Sequence, residues 1–149
     1  IAVLVESFLT SIALIFIFFI FGLELSFLSL LIFPFYVLIF IFCFGLGLVS
    51  ASVTVYFRDL QHIIPIMLQG LFFVSPILYD AKRFEGSPLE IILNLNPITP
   101  FITLFRDIIY YNRMPDLNTT LLALTLTSIS IMIGYLFFSQ MKNKIIYKL

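Results

Sequence analysis

Charged side chains are scarce in this sequence: 8 basic and 8 acidic residues make up 11% of 149, against 62% hydrophobic and 17% aromatic. An ordinary soluble domain carries about 25% charged residues. Too few polar groups remain to cover a water-soluble globule of this size, so the apolar surface is expected to face lipid. The formal net charge is zero and no basic run exists beyond the lysine-spaced tail. That removes the electrostatic footprint of a nucleic-acid binder, and no such partner is expected. Cysteine is nearly absent too. The one cysteine, Cys43, lies in an apolar stretch, which excludes a disulfide framework and a Cys/His metal site and leaves a small packed or lipid-buried residue.

Motifs that carry chemistry are also missing. The sequence holds no Gly-x-x-x-x-Gly-Lys-Ser/Thr phosphate loop, no paired histidines at helical spacing and no Gly-x-Ser-x-Gly elbow, so neither catalytic residues nor a bound cofactor is expected in this chain. Asp80 and Glu85 are conceivable as a carboxylate pair for glycosyl chemistry, but acids in a solvated loop are ordinary. The stretches Leu28 to Phe57, Leu60 to Tyr79 and Leu121 to Met141 hold no mid-span carboxylate, which counts against a proton-coupled carrier. Glu6, at the start of the first apolar run, complements a helix N-terminus. Glu24 belongs to a turn. His62, four residues after Arg58, reads as a snorkelling boundary residue, with a proton relay as the alternative.

What is abundant is uninterrupted apolar sequence. Four runs without a charged residue extend over Ser7 to Leu23, Leu25 to Phe57, Leu60 to Tyr79 and Leu117 to Met141, and roughly 20 residues suffice to cross a bilayer as a helix. The expected fold is an all-α integral membrane protein with spans over about 4–22, 28–57, 62–79 and 119–141. Leu25 to Phe27 are left in the interface, a kink is expected at Pro34, and Pro65 and Pro76 should bend or end the third span. Residues 80–118 mix charges with apolar clusters and read as two short amphipathic helices separated by Asn96-Pro97-Ile98-Thr99-Pro100. Arg58, Lys142, Lys144 and Lys148 cluster in short segments on one side, which favours that side as cytoplasmic and makes 80–118 extracytoplasmic. The start at Ile1, with no basic n-region before the first span, is read as the C-terminal part of a longer protein.

Small residues gather late in the second span at Gly45, Gly47, Ser50, Ala51, Ser52 and Thr54. Gly47 and Ala51, four apart, suit close helix approach, either within the chain or at a subunit or gate interface; Gly45, Gly47 and Ala51 are the helix-packing candidates. The 19 phenylalanines and the tyrosines at span ends and in loops are read as lipid-facing bulk and interface anchors, a subset of which could line a sugar path.

Four motifs occur in order: Tyr56-Phe57-Arg58-Asp59-Leu60, then Phe72-Phe73-Val74-Ser75-Pro76-Ile77-Leu78-Tyr79, then Leu95-Asn96-Pro97-Ile98-Thr99-Pro100-Phe101, then Phe105-Arg106. Together they resemble the type-2 permease subunits of ATP-binding cassette exporters for O-antigen, capsular polysaccharide and teichoic acid, over the last four of six transmembrane helices. The resemblance implies a multi-pass permease of a bacterial or archaeal cytoplasmic membrane. It also implies that two copies form a channel and that two ATPase subunits, which bind ATP and Mg, dock from the cytoplasm. By position, Phe57, Arg58, Asp59, Leu60 and His62 would form the ATPase contact, a membrane-surface turn with an Arg58–Asp59 ion pair being the plainer reading. Residues 80–118 would correspond to extracytoplasmic gate helices, with Asn96, Pro97, Thr99, Pro100 and Arg106 in gate packing or glycan contact. The alternatives are a type-2 permease for drugs or lipids, a membrane-embedded enzyme of polysaccharide assembly, and a scaffolding protein.

Overall fold

The computed structural model describes residues 27–77, 79 and 86–146, together with Glu6, Leu9, Thr10, Ile12, Ala13, Phe16 and Ile20 of the first apolar run. Those seven positions are helical and exposed, and the Thr10 hydroxyl donates to the Glu6 carbonyl at 2.8 Å. The rest of that run lies outside the described residues, as do Glu24, the Leu25–Ser26 interface, the Asp80 and Glu85 carboxylates, and the side chains of the lysine tail.

A short 3-10 turn, Phe27–Leu31, leads into helix α1, Ile32–Thr54. Pro34 stands in the first turn of α1, where a missing N–H costs no α-helical hydrogen bond. It therefore marks the change from 3-10 to α geometry, where the sequence suggested a kink within a span. The end of α1 is rich in hydroxyls that turn back on their own helix: Ser50, Ser52 and Thr54 donate to the carbonyls of Leu46, Leu48 and Ser50 at 2.9, 2.8 and 2.7 Å. Such bonding lets polar residues sit in an apolar helix without unsatisfied protons.

Helix α2 covers Leu60–Val74 with Pro65 inside it. It stops five residues short of the expected limit at 79 because Ser75 is extended (φ −74°, ψ 138°), the conformation that a following proline, here Pro76, imposes. Two short helices follow, α3 over Pro88–Leu95 and α4 over Thr99–Ile109, each with a proline in its first turn. Gly86 (φ +79°) makes the entry to α3, and its N–H donates to the Glu90 carboxylate at 2.6 Å. After α4 the chain reverses through Asn112 (φ +45°), a residue type that tolerates the left-handed region. Helix α5, Leu117–Ile146, closes the described fold.

The chain is an all-α membrane protein. Among the described residues two helices, Ile32–Thr54 and Leu117–Met141, are long and apolar enough to cross a bilayer, and no strand occurs. Helices α1 and α5 pack along each other at very close range. A Cβ added at Gly45 would collide with Ser130 and the Ile131 nitrogen, and one at Gly134 would lie 2.5 Å from the Gly45 carbonyl oxygen. The Ser130 hydroxyl crosses the seam to the Phe42 carbonyl at 2.8 Å. Phe42, Phe101, Leu104 and Ala123 form the buried cluster, flanked by Phe35, Leu38, Ile39 and Leu126, so α4 rests on the α1–α5 pair.

Gly45→Val and Gly134→Val are each expected to destabilise the detergent-solubilised protein by about 1–3 kcal/mol or more, since the colliding atoms include backbone. Gly47→Ala should leave the melting temperature unchanged, because a Cβ there meets nothing within 4 Å. A thermal melt followed by fluorescence-detected size exclusion checks both; a Gly134→Val protein that melts with the parent would remove the close seam.

Candidate functional site

Two polar regions stand out from the apolar helices, one at each end of α2. The first is the elbow between α1 and α2. Tyr56 and Phe57 N–H groups both donate to the Val53 carbonyl at 3.0 Å, and His62 N–H donates to the Asp59 carbonyl at 3.0 Å, so the chain turns tightly from one helix into the next. Phe57 is 68% exposed, and Arg58 and Asp59 are exposed beside it, while Leu60 is half-buried and His62 exposed in the first turn of α2. Arg58 and Asp59 form no ion pair with each other. Asp59 instead precedes α2, where its negative charge complements the helix N-terminus. Gln61 Nε2 and His62 Nε2 lie 3.2 Å apart. Behind the turn runs a groove of about 750 Å3, walled by Ser50, Ala51 and Thr54 of α1 and by Arg58, Gln61 and Pro65. The elbow thus presents an aromatic ring and two unpaired charges on a short, well-hydrogen-bonded turn, a shape suited to contact with another surface.

The second region joins the end of α2 to the α3–α4 pair. Asn96 is 4% exposed; its Nδ2 donates to Ser75 Oγ at 2.8 Å, and its Oδ1 accepts the Ile98 N–H at 3.0 Å. Ser75 in turn donates to the Leu71 carbonyl at 2.6 Å, and Thr99 donates to the Leu93 carbonyl at 2.8 Å. Pro97 is half-buried between the helices and Pro100 is buried. Arg106, on α4, donates through Nη2 to the Pro76 carbonyl at 2.5 Å and the Tyr79 carbonyl at 3.2 Å, with Ile77 near at 3.4 Å. Tyr79 reaches back to the Val74 carbonyl at 2.8 Å. The carbonyls left open where α2 ends are therefore met by a guanidinium and a phenol. Beyond α4, the buried Asp107 carboxylate accepts Arg113 Nε at 2.8 Å and Nη2 at 2.5 Å, and the Arg113 guanidinium lies 4.9 Å from the Tyr111 ring centroid. No buried side-chain nitrogen or oxygen among the described residues lacks a partner.

The structure thus brings Asn96, Pro97, Thr99, Pro100 and Arg106 together at one junction, with the amide of Asn96 and the guanidinium of Arg106 spent on the protein itself. It groups Phe57, Arg58, Asp59, Leu60 and His62 at the other end of α2. It does not group the small residues of α1: Gly45 is buried in the seam with α5, while Gly47 and Ala51 are exposed, Ala51 on the wall of the elbow groove. Sequence reasoning passed over the role of Ser75 as the partner of Asn96, over the Asp107–Arg113 pair, and over Ala123, Thr127, Ser130 and Gly134, buried on α5. The last four recur at helical spacing, a signal that was present in the sequence. Among the described residues no three His, Cys, Asp or Glu side chains are grouped to hold a metal ion.

An all-helical membrane chain, with polar clusters at the two ends of one short helix, is what fold and site define. The family model for the ABC-2 type transporter matches residues 1–110, and the chain belongs to that family. It is similar to the O-antigen export system permease protein RfbA of Myxococcus xanthus, at 37% identity over 82 residues, 54% of this chain and 31% of the relative. The chain therefore spans about a third of the length of that relative. No solved structure matches it.

Arg106→Met, which keeps the aliphatic stem, leaves the carbonyls of 76, 77 and 79 without their charged donor and should cost about 1.5–3 kcal/mol, with Arg106→Lys recovering part of it. Denaturation in mixed micelles reads the difference; equal stability of all three proteins would show that the guanidinium does not hold the end of α2.

Proposed function

We propose that this chain is the membrane part of a permease subunit that moves a polysaccharide or polyprenyl-linked glycan across the cytoplasmic membrane of a bacterium or archaeon, driven by ATP hydrolysis in a separate subunit. Membership of the ABC-2 type family supports an ATPase partner, and similarity to an O-antigen export permease supports the cargo class. The observation that carries the reading is the placement of two polar contact regions at opposite ends of α2, an exposed elbow at 55–62 and a clamp to the α3–α4 pair at 75–106.

On this reading four spans cross the bilayer, formed by the first apolar run, α1, α2 with the segment that follows it, and α5. The elbow lies on the cytoplasmic side, and the α3–α4 pair forms an extracytoplasmic gate. Two permease copies enclose the path and two ATPase subunits dock on the elbows, binding ATP and Mg themselves. ATP binding in the partner displaces Phe57, Arg58 and Asp59. Helix α2 moves as a packed body, and the bonds of Ser75, Asn96 and Arg106 carry that displacement to the gate. Such coupling requires two discrete arrangements of α2 against the rest of the fold.

The first test is co-purification of the full-length permease expressed with its neighbouring genes in mild detergent. A stoichiometric subunit with a phosphate-binding loop is the expected partner; recovery of a folded permease with none would return the membrane-enzyme and scaffold readings to the front. Asp59→Lys is then expected to leave insertion and assembly intact while export falls and ATPase activity persists. Unchanged surface glycan in that variant would remove the elbow from the coupling path, and accumulation of a drug or lipid in place of a glycan would reassign the cargo.

A further inference from the structure

A cavity of about 250 Å3 lies between the end of α3, the first two turns of α4 and the start of α5. The polar residues that line it, among those described, are Asn94, Thr99, Thr103, Asn118 and Thr119. Its apolar wall is the ring of Pro100 and the side chain of Leu122. The volume is below the roughly 300–1,000 Å3 of sites for drug-sized ligands, leaving room for one monosaccharide ring.

The hydrogen-bonding state of this wall sets it apart from the neighbouring junction. Asn96 spends its amide on Ser75 and Ile98, whereas the Asn94 and Asn118 side chains have no hydrogen-bond partner among the described residues. Each carboxamide offers two donors and one acceptor. Two of the three threonines are already committed as donors: Thr99 gives its proton to the Leu93 carbonyl at 2.8 Å and Thr103 to the Thr99 carbonyl at 3.0 Å. Their oxygens remain as acceptors. A ligand that fits must both give and take hydrogen bonds over a small ring, as neighbouring sugar hydroxyls do. Among the described residues no charged side chain lines the cavity, so a phosphate or carboxylate entering it would find no counter-charge from them.

We infer that this cavity binds a single uncharged pyranose, held through Asn94 and Asn118 with one face of the ring against Pro100 and Leu122. The assignment rests on the export reading for the source of the sugar, a residue of the exported glycan; the headgroup of a neutral glycolipid offers the same chemistry. Seated there, the ring bridges α3, α4 and the start of α5, so glycan occupancy would favour one arrangement of the α3–α4 pair over another.

The experiment is saturation-transfer NMR on the full-length permease with its ATPase in phospholipid nanodiscs. The probes are the methyl α-glycosides of glucose, galactose and mannose, with methyl glucuronide and glycerol 3-phosphate as charged controls. At least one neutral glycoside is expected to give a signal and the charged probes none. Asn94→Leu and Asn118→Leu, both at exposed positions, are each expected to weaken binding by roughly five- to tenfold. Thr103→Val, which removes an acceptor at similar volume, serves as a third variant in case either leucine protein fails to assemble. Absence of signal with every neutral glycoside, an equal signal from the charged probes, or unchanged binding in the variants overturns the assignment. Competition by a soluble fragment of the exported glycan supports the cargo as source; competition only by diglucosyl diacylglycerol in the disc overturns that source. Surface glycan is measured in parallel in cells carrying and lacking the permease. Intact permease-dependent export without glycoside binding sinks the cavity alone, whereas surface glycan that does not depend on the permease sinks the export reading.

Discussion

The backbone approach of α1 to α5 at Gly45 and Gly134 is the constraint on which the rest of the fold depends. Lipid tails are as apolar as leucine, so no hydrophobic force drives two such helices together, and association rests on close packing and interhelical hydrogen bonds. Both are present on one seam. The glycines let the Gly45 carbonyl stand against Gly134, and Ser130 sends its hydroxyl across to the Phe42 carbonyl. Phe42, positioned by that bond's own turn of helix, then meets the Phe101 ring of α4 at 4.9 Å between centroids. The α3–α4 pair is thus seated through a chain of contacts that begins with two missing side chains.

Helix α2 is held by different means. None of its residues is buried among those described, and Ile66, Met67 and Phe73 are 60–70% exposed. What ties it down is polar and lies at its end, in the Asn96–Ser75 bond and the Arg106 guanidinium. Polar networks at low dielectric are strong when complete and costly when partly broken, so they favour discrete states over gradual drift. A rigid apolar seam beside a helix anchored by polar contacts at its end is a division of labour suited to a moving part on a fixed frame.

Much of this was legible in the sequence, for reasons that differ from element to element. Long uncharged runs announce membrane helices because burying charge in lipid is expensive, and α1 and α5 follow those runs closely. The two short helices between them were readable from proline placement and from Asn96-Pro97. The end of α2 was misplaced because hydropathy continues unbroken to Tyr79 while the backbone is turned out of the helix by Pro76; a local steric rule overrode composition. Gly45 was picked out with Gly47 and Ala51, but only Gly45 faces α5, since apolar α1 carries no periodicity to say which side is inward. Asn96 and Arg106 were recognisable as unusual polar residues. Their partners were not, because a carbonyl thirty residues away leaves no mark in a sequence.

The position of Arg106 itself has a physical cause that the length of α2 supplies. Fifteen helical residues rise about 22 Å, short of the roughly 30 Å hydrocarbon layer. On the proposed topology the remainder of a crossing falls to the segment after α2, where Ser75 is extended and the chain then turns at 76 and 77, with the Ile77 N–H donating to the Ser75 carbonyl at 2.7 Å. Non-helical backbone at membrane depth survives only where protein or water meets its polar groups. Water would leave the segment loose; a guanidinium presents several donors on one planar head and holds its charge throughout. Arg106 supplies them to residues 76 and 79, and Tyr79 closes back on Val74. The Arg106 cation is thereby engaged by backbone carbonyls at the end of α2. The uncharged amides of Asn94 and Asn118, by contrast, have no hydrogen-bond partner among the described residues.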